Sequence, residues 1–178
     1  MQPESRLVRH TKCGGNRPQK GWAQMTARSG RTEERAKRIA LCCLAIIVAL
    51  VGGVGLATGL VIRHVVQTAP LWIGLALGIG GSRAVGCFTA PIFAFWMVLM
   101  MLIWLYLAGW STLISGHFSA FETAMTLVVG AACAIGLWLD VRSFVGVQAT
   151  TAVGLLVVAA AAQWLCFRLS MLPGIAHR

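Results

Sequence analysis

Ile39–Ile62, IALCCLAIIVALVGGVGLATGLVI, is a run of 24 residues without a charge, and it limits the possible folds more than any other feature of the chain. At a rise of roughly 1.5 Å per residue it makes a helix of about 36 Å, longer than the roughly 30 Å core of a bilayer. It is too long for the apolar part of a signal peptide, and no convincing cleavage site follows it, so it reads as an uncleaved anchor. Similar runs follow at 70–88, 91–114, 121–139 and 144–167. With 58% hydrophobic and only 11% charged residues, such a core must be solvated by lipid rather than wrapped in its own polar surface. The pattern predicts an all-α integral membrane protein, a bundle of five transmembrane helices over 39–167, with the bilayer as its first partner.

The number of spans turns on Leu71–Phe88, LWIGLALGIGGSRAVGCF. If this stretch crosses, there are five spans; if it only dips in, there are four plus a re-entrant helix. Thr68-Ala69-Pro70-Leu71 precedes it, and the near-copy Thr89-Ala90-Pro91-Ile92 follows it. Proline suits the first position of a helix, where its missing N–H would be unpaired anyway, so both tetrapeptides read as helix starts. Gly74, Gly78, Ser82 and Gly86 then fall four apart and predict a smooth packing stripe on one helix. The weak helix propensity of glycine argues the other way. Arg83 is the one full charge in the stretch. It can snorkel to the interface on its long side chain, or face a polar cavity as a functional charge.

Residues 1–38 hold ten of the fifteen Lys and Arg. They show no periodic apolar face and read as a disordered basic tail that holds the N-terminus in the cytoplasm. Attraction to anionic headgroups is the second use of such a tail. No aromatic interleaving or module pattern supports nucleic-acid binding. Met25 opens a compact leader and is an alternative start. A short basic tail, 168–178, ends the chain. Five spans put twelve positive charges on the cytoplasmic side and three outside, and four spans give the same division, so charge alone does not choose between them. The expected location is a plasma or inner membrane, multi-pass, with the N-terminus cytoplasmic.

Candidates for chemistry are few. Cys13, Cys42, Cys43, Cys87, Cys133 and Cys166 contain no CxxC pair and read as small apolar fillers. No phosphate-binding loop, H-E-x-x-H or G-x-S-x-G occurs. Met97, Met100, Met101 and Trp104 share a helix face, as packing or lipid-facing surface or, less simply, as the wall of a cofactor site. Trp72, Trp110, Trp138 and Trp164 suit an aromatic belt at the span ends. Ser119-x-x-Glu122 has the spacing of a capping box, which gives Glu122 a structural role beside that of a proton-carrying carboxylate. His117 lies in the preceding loop, and Asp140-Val141-Arg142-Ser143 reads as a polar turn in water and headgroups. No cofactor or metal is expected. Two functions remain open. One is a non-catalytic subunit or accessory protein that docks another membrane protein or a second copy through its glycine stripes. The other is a small transporter or channel with Arg83, Glu122 and His117 along a polar path.

Overall fold

A computed structural model describes residues 17–112, 118–143 and 147–176, and the side chains within those segments from residue 30 to residue 175. By its internal contacts the chain divides into two units, 1–31 and 32–178. The described residues contain helices and no strand. Helix α1 is Arg17–Ile47; it continues as a π-helical segment, Val48–Gly55, and a single α-turn, Leu56–Thr58. Then come α2 (Val61–Ile79), α3 (Val85–Leu107), α4 (Ala120–Val141), α5 (Ala149–Ser170) and a short α6 (Pro173–Ala176). Gly30–Thr58 and helices α2 to α5 are the five helices long and apolar enough to cross a membrane, which suggests a multi-pass membrane protein.

The helix count matches the five expected, but the boundaries differ, and the stretch 71–88 is not one helix. It comprises the last nine residues of α2, a tight turn and the first four residues of α3. Glycines in the left-handed region, not prolines, set the boundaries. Gly81 has φ +66°; its N–H donates to the carbonyl of Gly78 at 3.1 Å, and that of Ser82 to the carbonyl of Leu77 at 3.0 Å. This is a Schellman end, which satisfies carbonyls that a helix terminus leaves over. Gly109, φ +76°, ends α3 in the same way, with Gly109 N–H donating to Tyr106 and Trp110 N–H to Leu105, both at 2.9 Å. Gly59, φ +72°, ends the first span, so Arg63 and His64 begin α2 instead of closing the helix before it.

Pro70 and Pro91 therefore lie inside α2 and α3, each removing one rung of the helix ladder. The repeated Thr-Ala-Pro is a mid-helix feature. Two residues before each proline, Thr68 and Thr89 turn their hydroxyls back to the carbonyls of His64 and Val85, both at 2.9 Å. Trp72, expected at a span end, falls midway along α2. Within the basic tail, residues 17–38 are helical and continue the first apolar helix outward, while 1–16 lie outside the described residues. Glu33–Lys37 and Glu34–Arg38 are ion pairs one turn apart on this helix, and such pairs support helices. Part of the C-terminal tail, through Ser170 and in α6, is helical as well.

Helices α3 and α4 run antiparallel with small residues facing large ones. A Cβ on Gly136 would overlap the ring of Phe93, and the indole N–H of Trp104 donates to Thr126 Oγ1 at 3.1 Å. On the other flank α2 meets α1: a Cβ on Gly78 would stand 2.8 Å from the carbonyl oxygen of Ala36 and 2.8 Å from Ala40 Cβ. Close approach of this kind gives van der Waals contact where lipid supplies no hydrophobic drive between helices. Ile39, Cys43, Ile46, Leu71, Ile92, Phe93 and Val129 fill the enclosed core. Helix α5 is the least enclosed span, with 11% of its most apolar stretch buried.

Candidate functional site

The buried face of α4 reads Thr126, Val129, Cys133, Gly136 and Asp140, alternating steps of three and four. This spacing keeps one stripe of an α-helix on the core for its whole length. Asp140 is the last member of the stripe and is 0% exposed. It is also the only aspartate in the chain. A carboxyl sealed inside apolar helices is expensive to hold there, so its surroundings matter more than those of any surface charge.

Four helices converge on the Asp140–Thr89 pair. Gly86 of α3 lets the backbones close in: a Cβ there would stand 2.7 Å from Ser143 Cβ and 3.4 Å from Asp140 Cα. One turn further along α3, Thr89 Oγ1 lies 3.0 Å from Asp140 Oδ1 and 3.1 Å from Oδ2. Gly74 of α2 presses on the same threonine, since a Cβ on it would stand 2.7 Å from Thr89 Cγ2 and 3.3 Å from Cys43 Sγ of α1. The thiols of Cys42, Cys43 and Cys87 come near enough to the carboxyl to interact with it electrostatically. All three thiols are buried and unpaired. Among the described residues no three His, Cys, Asp or Glu side chains are arranged to hold a metal ion. Just beyond Asp140 the α4 terminus is held from α1, where the Arg35 guanidinium donates to the Arg142 carbonyl. Arg142 itself stacks 3.9 Å over the ring of exposed Trp138, a favourable cation–π contact.

A second polar cluster joins α2 to α5. Gln163 and Ser170 are 0% exposed and Gln67 is buried. Gln67 Nε2 donates to Ser170 Oγ at 3.0 Å, Ser170 Oγ to the Phe167 carbonyl at 2.7 Å, and Gln163 Nε2 to the Gln67 carbonyl at 3.2 Å. Gln163 Oε1 has no partner among the described residues. Nearby, Arg63 Nη2 contacts Met171 Sδ at 3.3 Å. Interhelical bonds of this type fix two apolar helices in register.

The residues singled out in the sequence fall elsewhere. Arg83 is exposed in the turn between α2 and α3. Glu122 completes the expected capping box: its carboxylate accepts from Ser119 N–H at 2.7 Å, while Ser119 Oγ accepts from Glu122 N–H at 3.2 Å. His117 lies outside the described residues. Gly74 and Gly78 belong to α2, Ser82 to the turn and Gly86 to α3, so the four do not form one stripe; the Gly81 chain reversal divides them. Three of them nevertheless make close helix approaches, Gly74 toward α3 and α1, Gly78 toward α1 and Gly86 toward α4. Met100 is buried and Met101 more than half exposed, so the methionine face is split between core and surface.

Sequence reasoning missed Thr89, Asp140, Gln67 and Gln163. The polar run after Asp140 made it look like part of a turn, although its place four residues beyond Gly136 marks it as a core position. Gln163 interrupts an alanine and aromatic run, a signal of its own inside a span. No protein-family model, curated protein or solved structure matches this chain.

Proposed function

We propose that the chain is a non-catalytic subunit or accessory protein of a membrane complex, oriented with its N-terminus in the cytoplasm. The observation that carries this reading is the state of α5. Three of its residues, Ala159, Gln163 and Ser170, are buried, while Val153, Val157, Val158, Trp164 and Leu165 are exposed. Outside its contacts with α2 and α3, this helix presents an apolar face on which another transmembrane helix can pack in place of lipid. The alternative, a small transporter built on Arg83 and Glu122, is weakened. One of these side chains lies in an exposed turn and the other is engaged in its own helix cap. The proposed orientation is supported by charge. If all five helices cross, the sequence assigns the ten basic residues of 1–38, Arg83 and Arg142 to the N-terminal side, twelve in all, against Arg63, Arg168 and Arg178 on the other.

Purification from its native membrane in mild detergent tests the reading. A stoichiometric membrane-protein partner, or a defined multimer of the chain, is the expected result. Gly154 on α5 has nothing within 4 Å of where a Cβ would stand. Gly154→Trp should therefore leave folding intact and lower the recovered complex about tenfold, equivalent to about 1.4 kcal/mol. A monodisperse monomer with no partner would contradict the reading.

A further inference from the structure

We infer that Asp140 and Thr89 form a proton-binding site at the α3–α4 junction, in which a neutral Asp140 carboxyl donates its proton to Thr89 Oγ1. The inference comes from counting hydrogens and goes beyond the subunit reading without depending on it. Thr89 Oγ1 has three oxygens within 3.1 Å: the Val85 carbonyl at 2.9 Å and the two Asp140 carboxyl oxygens at 3.0 and 3.1 Å. A threonine hydroxyl has one hydrogen to give and lone pairs to receive. If that hydrogen goes to Asp140, a sealed full charge has, among the described residues, a single neutral donor, the costly case for a buried ion. If it goes to Val85, as back-bonded threonines in helices commonly arrange, hydroxyl and carboxylate oxygens face each other with no hydrogen between them. One added proton resolves both difficulties: Asp140 O–H donates to Thr89 Oγ1, and Thr89 O–H donates to the Val85 carbonyl.

The neighbours favour a proton over a metal cation. Among the described residues, the titratable groups that interact with the carboxyl are the thiols of Cys42 and Cys43 on α1 and Cys87 on α3, none of them a cation. Helix α2 offers Gly74, which has no side chain, to the same junction. Thr89 Oγ1 and the two carboxyl oxygens are three protein oxygens, against the about six to eight ligands of a calcium shell.

Because Asp140 is the only aspartate, isotopic labelling of the aspartate carboxyl carbon gives one side-chain signal without mutation. Solid-state NMR of the full chain in lipid bilayers, titrated with acid and base, reads its protonation directly. The expected result is a neutral-carboxyl signal at pH 7 that converts to the carboxylate signal as pH rises. Thr89→Val should move the midpoint by about one pH unit, and Thr89→Ser should restore it. A carboxylate signal at every pH at which the bundle stays folded would overturn the inference. So would a signal that responds to added sodium at fixed pH, which would assign the site to a metal cation. The wild-type titration decides even if Thr89→Val does not fold.

Discussion

Replacing Gly78 with valine should destabilise the bundle by about 1–3 kcal/mol, the usual cost of forcing extra carbon into a packed interior. Valine would place its Cβ 2.8 Å from the Ala36 carbonyl oxygen and 2.8 Å from Ala40 Cβ. The first of these is backbone and the second is rigid, so neither can swing aside. Helices α1 and α2 would have to separate, loosening the seat of Cys43 and Gly74 against Thr89. Gly78→Ala should act in the same direction, more weakly, because alanine recovers up to about 1 kcal/mol of helix propensity. Detergent-driven unfolding followed by far-UV circular dichroism reads the difference. An unchanged or raised midpoint for Gly78→Val would mean that α1 and α2 do not approach as closely as described.

Thr89→Val should cost a similar amount, about 1–3 kcal/mol, for a different reason. Valine fills the space of threonine but removes the hydroxyl, so a buried carboxyl loses its hydrogen-bond partner. The penalty belongs to the pair. In a double-mutant cycle with Asp140→Asn, the coupling should be about 0.5–3 kcal/mol, the range for residues in direct contact. Additive effects would show that Thr89 and Asp140 do not sense each other.

The sequence made the architecture legible and left the interior obscure. Long apolar runs with few charges require helices, because lipid leaves backbone polar groups no other way to pair locally, and five such helices are present. The capping box at Ser119 and Glu122 was legible because it depends only on local spacing. The boundaries around α2 were not, because proline and glycine signals compete there. Thr-Ala-Pro reads as a helix start, but a span has room for a mid-helix proline when neighbouring helices enclose it, and Gly81 reverses the chain instead. Shifting α2 toward the N-terminus carried Arg83 out of the bundle and drew Gln67 and Thr68 into it. Asp140 and Thr89 lie 51 residues apart, so their pairing depends on the register of α3 against α4, which Gly86 and Gly136 set by close contact. No local pattern states that register.

Five helices are long and apolar enough to cross a membrane, and the proposed topology, in which all five cross, requires the two ends of the chain to lie on opposite sides of it. Paired reporter fusions after Arg178 and before Met1, each active on one known side, measure this directly. The predicted result is opposite sides, with the N-terminal reporter cytoplasmic. Both reporters on the same side would contradict a bundle in which Gly30–Thr58 and helices α2 to α5 all cross.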